Sequence, residues 1–577
     1  MPQVKEVKSL FKLSAMYVAK NIHYWCNPVE KESYTVVEPE CRPKYSYNSF
    51  DNLPFVVLEE VIKALKKNGT KQLKAFSTDT PDREIKDWLV NGNYVFFDYA
   101  FHIKGYHRVQ VKEDIFKNLI TQQLQELDLS QTRSPWTYEI SAAAEIYNLL
   151  DVAAFKCPTI LKNLNLKNTN NFNCGIFLAK FKHLQILNIS HSAAEDIWLQ
   201  IIGSSCKHLR ELDVSYCSQV TDHGIQGLCV SYFDNQCRKN ELVGLCKSIE
   251  KLNLIRTRVT DKGVQMALQY LPSLKSIRHC AVMQVLADVA QRTLDDKTLN
   301  IPTYSLSEFI IFHSDLHRSG SFGSILNLCP LIVKIDLEVL EGFTNNDLLS
   351  LRFLKRLREL KLCDIYFNEE SLSERSQITV DGGLFPLLKD IGSSLVILGL
   401  SCFIGLNVSL IAEFCPNLRS LTLTSNRFYT TVSLVEKIVL SNQKRWKIKP
   451  PILKHLIELR FKSNIFNNNC HLLAENLMFL LSSPSLTSVT IHSCKLVTDE
   501  FLSDVANLYH FKNLKKLELS YCPMITECGL SELMTDSNNL ERITVFGCDK
   551  LDKKIVENFQ IQALQKNWKL SIVDSYR

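Results

Sequence analysis

The stretch CKHLRELDVSYCSQVTDHGIQGL, residues 206–228, decides the fold of this chain. Its first half has the frame L-x-x-L-x-L/V-x-x-C, formed by Leu209, Leu212, Val214 and Cys217. Apolar residues at alternate positions predict a short strand that buries Leu212 and Val214 on one face. The strand ends in a tight corner that carries Cys217.

The second half of the stretch predicts a helix that starts after the corner. Thr221 and Asp222 precede Gly224 and the amphipathic run at 225–228. Their side-chain oxygens can accept hydrogen bonds from the free amides of a first helical turn. A strand, a cysteine corner and a helix are typical of one leucine-rich repeat of the cysteine-containing type. One such unit cannot bury its apolar face alone, so neighbouring repeats are required.

Matching frames recur to the C-terminus and predict an α/β leucine-rich-repeat solenoid of about fourteen repeats over residues 124–577. The repeats start at Leu124, Leu161, Leu184, Leu209, Ile249, Leu274, Ile332, Leu357, Leu395, Leu418, Leu456, Leu486, Leu514 and Leu540. Long spacings place insertions at 133–157, 229–245, 281–328, 366–392 and 427–452. The weakest unit starts at Leu274, because His279 takes an apolar position. Trp568, Leu570 and Ile572 predict a last capping strand.

Two regions precede the repeats. Residues 1–66 contain two helical patterns separated by a polar, proline-containing segment, and they predict a small helical region. Residues 67–123 are less regular and include an aromatic stretch at 94–99. We expect them to cap the first repeat, since the terminal units of a repeat array need an atypical outer face.

The composition limits the classes of partner and compartment. The 577 residues carry a formal net charge of +6, which is too weak to argue for nucleic acid. The basic run KRWKIK at 444–449 is interpreted as a solvated loop. No run is long and apolar enough to span a membrane, and the first residues lack a signal-peptide pattern.

The nineteen cysteines do not indicate a secreted disulfide scaffold. Several occupy the repeat corner, such as Cys217 and Cys522, or directly precede a frame, such as Cys206. We expect buried thiols in a reducing compartment and therefore a cytoplasmic or nuclear protein. No C-x-x-C pair occurs, so zinc is not expected.

No motif nominates catalysis, a metal or a cofactor. G-x-S-x-G, H-E-x-x-H and the P-loop are missing, and the histidines are scattered. Binding of a protein is therefore the predicted activity, and no catalytic residue is assigned. The candidate substrate-binding residues point outward between the buried strand positions: Asp128, Asn188, Asp213 and Asn253. The alternative is that the sheet face is only solvated and the insertions bind the partner.

A segment in the first helix resembles the elongin-C-binding box, in which a small residue and Leu are followed by Cys and then an aliphatic residue. Ser9, Leu10 and Val18 match the pattern, and Ser14 stands where it has Cys. The resemblance implies that Leu10 enters a pocket on elongin C, which acts with elongin B, while Ser14 and Val18 line the same helix face.

The start of the second helix resembles the cullin-2 box at Leu53, Pro54, Val57 and Val61. The order of the two boxes, followed by leucine-rich repeats, resembles the Zyg-eleven and Zer-one family of substrate receptors. That resemblance implies a non-catalytic subunit of a ubiquitin ligase that binds elongin C, elongin B, cullin-2 and an unknown protein substrate. The family continues into armadillo-like helical repeats, whereas leucine-rich frames continue here, so its degron-binding residues are not carried over.

Two alternatives use the same N-terminal helices differently. The segment LPFVVLEEVIKAL, residues 53–65, also resembles the opening of an F-box, which implies an F-box adaptor and cullin-1. Trp88 follows without the Cys that usually ends such a domain. In the second alternative, the helices only cap the solenoid, and the protein is an interaction scaffold without a link to a ligase.

Overall fold

The structure is a computed structural model that divides into two compact units. The N-terminal unit comprises the described residues of Val7–His279, and the C-terminal unit comprises those from Cys280 onward. The described residues are 17, 94–96, 120–130, 139–169, 174–229, 247–295, 301–311, 320–338, 340, 342–363, 378–424, 427–428, 435–440, 443–448, 453–463, 470–509, 513–534, 539–566, 568 and 570–574.

In the described part of the N-terminal unit, seven strands form one parallel sheet in chain order. The strands are β1 Tyr94–Phe96, β2 Glu126–Asp128, β3 Asn163–Asn165, β4 Ile186–Asn188, β5 Glu211–Asp213, β6 Lys251–Asn253 and β7 Ser276–Arg278. The helices between them are α1 Glu139–Lys156, α2 Gly175–Leu178, α3 Asp196–Ser205, α4 Asp222–Cys229 and α5 Asp261–Tyr270. From β2 onward, one strand pairs with the next in a constant register.

The described part of the C-terminal unit has a parallel sheet of ten strands, with shorter elements beside it. The ten strands are β8 Glu308–Ile311, β9 Lys334–Leu337, β10 Glu359–Cys363, β11 Ile397–Ser401, β13 Ser420–Thr424, β17 Glu458–Lys462, β18 Ser488–His492, β19 Lys516–Ser520, β20 Arg542–Phe546 and β21 Ser571–Asp574. Outside this sheet, β12 Ile404–Leu406 pairs with β14 Arg427–Phe428, and β15 Val435–Leu440 pairs with β16 Gln443–Ile448.

Helices connect the strands of the C-terminal unit. The α-helices are α6 Val282–Asp295, α7 Phe322–Leu328, α8 Asn345–Leu349, α9 Phe385–Ile391, α10 Val408–Phe414, α11 Cys470–Leu481, α12 Asp499–Tyr509, α13 Glu527–Ser531 and α14 Lys553–Gln565. Residues 350–353 and 392–394 are 3₁₀ turns, and residues 380–384 form a π-helical turn. Throughout the described residues, no helix is both long and apolar enough to cross a bilayer.

The structure confirms the fourteen predicted repeat strands, which are β2–β7, β9–β11, β13 and β17–β20. It also confirms the last capping strand as β21, in which Ile572 is buried and which the buried Leu570 directly precedes. One repeat was not predicted from the sequence: β8 lies inside the predicted insertion at 281–328, with Leu306, Phe309 and Ile311 in the core. A Phe in place of Leu, and no recognisable corner residue afterwards, hid that frame.

Two other segments of the structure form strands that were not predicted from the sequence. β1 lies in the aromatic stretch of the predicted cap and pairs with β2. The basic run at 444–449 was predicted to be a solvated loop, and that prediction was wrong, because residues up to Ile448 form β16 of an antiparallel hairpin. The charges hid the paired strands, VEKIVL and QKRWKI, which are separated by two residues.

The residues of the opening frame pack as predicted. Leu212 and Val214 are buried, and the Cys217 thiol lies in the corner, where it donates to the Ile189 carbonyl oxygen of the preceding repeat at 3.1 Å. Burial raises the pKa of Cys217, so the thiol stays protonated and acts as a small apolar group with one weak donor. The corner cysteine therefore joins adjacent repeats.

Side-chain hydrogen bonds at the helix starts connect neighbouring repeats, and these bonds were not predicted from the sequence. Thr221 caps α4 as expected, since its hydroxyl accepts from the His223 amide at 3.2 Å. The carboxylate of Asp222 does not serve its own helix in the same way. It accepts from the Thr260 amide at 2.7 Å and from the Thr260 hydroxyl at 2.6 Å, one repeat further on. Asp499 and Thr526 form the same pair in the C-terminal unit.

Candidate functional site

The candidate site in the N-terminal unit is the open face of its sheet, the face opposite the buried central residue of each strand. The third residues of β2–β6 form one row across this face, and they are Asp128, Asn165, Asn188, Asp213 and Asn253. The row contains all four predicted substrate-binding residues. Asn188, Asp213 and Asn253 are partly exposed, whereas Asp128 is buried at 8% exposure and does not present the outward contact that was predicted. The sheet thus brings together side chains that are up to 125 positions apart in the chain.

Each side chain of this row also ends its own strand. The Ser215 amide and hydroxyl donate to Asp213 Oδ1 at 2.9 and 2.7 Å, and Ser190 binds Asn188 in the same way. The amides of Ser130 and Ile255 likewise donate to Asp128 and Asn253. These are Asx turns, in which a side-chain oxygen replaces a backbone acceptor two residues before the donor.

The row is therefore a fixed polar strip. Asn253 Nδ2 donates to Asp213 Oδ2 at 3.1 Å, which links two strands side by side. Because the rotamers are already held, a partner that docks here loses little side-chain entropy from this surface. The role of these side chains in Asx turns was not predicted from the sequence. The spacing Asp/Asn-x-Ser at Asp128, Asn188 and Asp213 could have indicated it.

A second row of the N-terminal unit lies at the corners three residues beyond the first. Asn168, His191, Tyr216 and Arg256 all have left-handed φ values, from 52° to 63°. The rings of His191 and Tyr216 stack, with centroids 4.1 Å apart and planes at 12°. Tyr216 is half exposed, so the stacked pair extends the polar strip with an aromatic surface.

The open face of the C-terminal unit begins with charge pairs. Glu359 accepts from Lys361 at 2.9 Å and from Lys334 at 3.1 Å. Burial acts to raise the pKa of Glu359, but the two ammonium groups outweigh it and lower that pKa overall. On β17, Arg460 binds Glu458 at 2.8 Å. The positive side chains of β9, β10 and the middle of β17 are thus compensated by carboxylates.

The far end of the same face carries aromatic side chains. Tyr521, at the corner after β19, makes edge-to-face contacts with His492 and Phe546, at centroid distances of 5.0 and 4.9 Å. Burial, and then the charge of Lys462, lowers the pKa of His492. We call His492, Tyr521 and Phe546 the aromatic cluster. It lies at the carboxyl ends of β18–β20.

A shallow cavity of about 420 Å³ lies at the opposite, amino ends of these strands. It is lined by Ile457, Ser485, Thr487, Asn513, Lys515, Asn539 and Glu541. Lys515 and Glu541 form an ion pair across it at 3.5 Å. Among the residues that the structure describes, no group of three or more His, Cys, Asp or Glu could hold a metal ion.

The predicted adaptor-binding and cullin-binding residues lie outside the described residues. This holds for Ser9, Leu10, Ser14 and Val18, and for Leu53, Pro54, Val57 and Val61. Within the first of these segments, the structure describes Tyr17 alone, in helical conformation and exposed. The assignments at both boxes therefore stay predictions from the sequence.

Comparison with known proteins agrees with this fold. A family model of the leucine-rich repeat matches residues 205–229, the same stretch that defines the frame. The strands and helices alternate with this repeat through both units, so each unit is an α/β leucine-rich-repeat solenoid.

Individual relatives match only in part. The chain is 27% identical over 257 residues to the F-box/LRR-repeat protein 4 of Bos taurus, a match that covers 43% of this chain and 38% of that protein. The chain thus matches well under half of that relative's length.

Two solved structures are similar at low scores. One is a leucine-rich-repeat protein of Leptospira interrogans, with 16% identity, a TM-score of 0.32, and coverage of 80% of this chain and 91% of that one. The other is a complex of Rad7 and Elc1 in yeast, with 18% identity, a TM-score of 0.38, and coverage of 72% and 90%.

Proposed function

We propose that the protein is a non-catalytic substrate receptor of a ubiquitin ligase. In this proposal, the open faces of the two sheets hold a protein substrate and the N-terminal helices bind the ligase adaptor. The observation that carries the binding role is the partly exposed row Asn165–Asn188–Asp213–Asn253, whose side chains are held by hydrogen bonds before any partner arrives. A surface of this kind favours docking of a rigid or extended protein segment.

The link to a ligase is supported by sequence features. One is the order of the two box-like helices ahead of the repeats, which resembles receptors that use elongin C, elongin B and cullin-2. The other is the bovine relative, whose name joins an F-box to leucine-rich repeats. That name favours the second candidate, in which the segment at Leu53 and Pro54 binds an F-box adaptor and cullin-1.

Binding assays with the purified full chain distinguish the two adaptors. Leu10→Ala with Ser14→Ala removes two side chains that are predicted to contact elongin C. Pro54→Ala alters the predicted start of the F-box-like helix. Lys12→Ala is the matched control, since a residue two positions after Leu10 lies on the opposite side of a helix. Loss of elongin C with the double variant, but not with the control, supports the elongin reading.

Other outcomes of the same assay have defined meanings. Binding of the F-box adaptor that is lost with Pro54→Ala and kept with Leu10→Ala/Ser14→Ala supports the F-box reading. If neither adaptor binds the unmodified chain at micromolar concentration, the ligase proposal is wrong, and an interaction scaffold is left. A protein with this role acts in the cytoplasm or the nucleus, which we propose as its location.

A further inference from the structure

The open face of the C-terminal unit has two positive side chains directly opposite each other. Lys516 of β19 and Arg542 of β20 are register partners in the parallel ladder. Both are exposed. Like charges at directly opposite positions in a sheet are destabilising, so the pair is a local cost to the fold.

Carboxylates do not compensate this pair within the described residues. Across the same face, Lys334, Lys361 and Arg460 each bind a carboxylate within 3.1 Å. Neither Lys516 nor Arg542 has a described carboxylate within salt-bridge distance. The row of strand-first residues continues on both sides with neutral hydroxyls, Ser488 on β18 and Ser571 on β21.

The acidic side chains that are closest to this pair in the sequence bind other groups. Glu541, one residue before Arg542, binds Lys515 at the amino edge. Glu518, two residues after Lys516, accepts from the Ser520 hydroxyl at 3.4 Å. On β19 and β20, the positive charge is therefore confined to the first row, and Glu518 disfavours an anion one row further along. The exposed Lys462 is a separate cation of this face, at the end of β17 beside His492.

The aromatic cluster lies at the other end of the same strands. From Arg542 to Phe546 there are four residues along β20, or about 13 Å at the usual rise of a strand. Tyr521 is 43% exposed and lies between His492 and Phe546, which gives this end an accessible ring surface. An extended peptide spans the same distance in about four residues.

We infer that the face of β17–β20 binds an extended acidic segment of the partner protein, with one anionic side chain at Lys516 and Arg542 and one apolar side chain against the aromatic cluster. The anion is an Asp or Glu carboxylate or the phosphate of a modified Ser or Thr. An anion between the two cations relieves their repulsion and accepts charge-assisted hydrogen bonds from both. The inference deepens the proposed function, because it assumes that this face holds a protein partner and names the chemistry of the segment.

The test is selection of a display library of random twelve-residue peptides on the full-length protein. Selected peptides should be enriched in an acidic residue three to five positions from an aromatic or large aliphatic one. Synthetic versions should bind at least about tenfold more weakly to Lys516→Glu/Arg542→Glu, and more weakly as salt rises. Binding that is insensitive to that variant, or peptides without acidic enrichment, would overturn the inference.

A control variant separates local from general charge effects. Lys550→Glu/Lys554→Glu makes the same change in net charge at exposed positions outside these strands, and it should keep full affinity. Equal loss in both double variants contradicts a specific anion position. Circular dichroism verifies that both variants are folded.

A second pair of peptides identifies the source of the anion. Replacing the selected Asp or Glu by phosphoserine should raise affinity at least about tenfold if the face is built for phosphate, and leave or lower it if it is built for a carboxylate. The adaptor assay is independent of this face. Adaptor binding by Lys516→Glu/Arg542→Glu, with peptide binding lost, keeps both proposals, whereas peptide binding without any adaptor overturns only the ligase proposal.

Discussion

The carboxylate of Asp196 holds Thr221 of the next repeat by two hydrogen bonds at once. The Thr221 amide donates to Oδ1 at 2.7 Å, and the Thr221 hydroxyl donates to Oδ2 at 2.6 Å. The pair joins the first turn of α3 to the start of α4. The same geometry recurs at Asp222 with Thr260 and at Asp499 with Thr526, so we interpret it as the standard joint between consecutive helices.

Breaking this joint should destabilise the N-terminal unit. Asp196→Ala removes two charge-assisted acceptor contacts and should lower the free energy of unfolding by about 2–3 kcal/mol. Thr221→Val keeps the amide bond but removes both the hydroxyl bond to Asp196 and the cap of α4, so it should cost about 1–2 kcal/mol. Urea denaturation gives these values, and hydrogen exchange should show faster exchange at the start of α4. If the losses in free energy of unfolding add up in the double variant, the two side chains are not energetically coupled, and the interpretation of the pair as a stabilising joint is wrong.

The glycine in T-D-x-G is explained by the same carboxylate. A Cβ on Gly224 would lie 2.5 Å from Asp196 Oδ1, inside van der Waals contact. Gly224→Ala should therefore cost about 1–3 kcal/mol, and less in the Asp196→Ala background, where that oxygen is missing. Gly323→Ala in α7 is the matched control, because its nearest neighbour would be at 3.4 Å. There, Ala should be neutral or stabilising through helix propensity.

These residues show how far the sequence predicted the structure. Leu212, Val214 and Cys217 indicate the buried frame, because each repeat needs apolar residues at the same positions. The fourteen strands were predicted from the recurrence of this frame. The Asp196–Thr221 contact was not predictable in this way, because it joins residues of two repeats whose spacing varies with insertions. Thr221 and Asp222 were both read as caps of one helix, whereas the structure divides them between two joints.

The candidate site was predictable only as a set of positions. Alternation along each strand places Asp213 and Asn253 on the open face, which the sheet register bears out. It does not reveal that their oxygens end the strands, or that Lys516 and Arg542 meet as register partners. Those relations depend on the geometry of neighbouring strands and corners.

Asp213 and Asn253 provide a test of the hydrogen bond that links β5 and β6. Asp213→Ala loses the contacts from Ser215 and should destabilise the protein by about 1–2 kcal/mol. Asp213→Asn keeps the Oδ1 acceptor but places an amide group against Asn253 Nδ2, so it should be intermediate. The exchanged pair Asp213→Asn/Asn253→Asp restores a donor facing an acceptor and should regain most of the stability in urea denaturation. Failure of the exchange to improve on Asp213→Asn would contradict the Asn253–Asp213 bond.

His279 should make the N-terminal unit sensitive to acid. Burial lowers the pKa of His279 below its ordinary 6.5, although a hydrogen bond with the Val259 backbone and the charges of Asp261 and Asp222 act in the opposite direction. The unfolded chain therefore binds a proton more readily than the folded one, and stability is full above about pH 6.5 and falls as the pH drops toward the folded-state pKa. His279→Leu should flatten this loss between about pH 7.5 and 5.5 in urea denaturation. The exposed His223→Leu is the control, and an equal pH slope in wild type and His279→Leu would contradict the assignment.

Thiol labelling should follow burial. Burial raises the pKa of Cys157, Cys329 and Cys415 to about 12, so at neutral pH they are protonated as well as shielded. Cys280 and Cys528 are exposed. Brief treatment of the native protein with N-ethylmaleimide, followed by mass spectrometry, should label Cys280 and Cys528 before the other cysteines whose burial the structure describes. Early labelling of Cys329 or Cys415 would show that these repeats open in solution.

Affinity purification of the full chain from cells, followed by quantitative mass spectrometry, tests the central claim most directly. We predict near-stoichiometric recovery of one adaptor set, either elongin C with elongin B and cullin-2 or the F-box adaptor with cullin-1. The adaptor should be lost with Leu10→Ala/Ser14→Ala or with Pro54→Ala, respectively, and retained with Lys516→Glu/Arg542→Glu. Recovery of other protein partners with neither adaptor set present would contradict a role as a ubiquitin-ligase receptor.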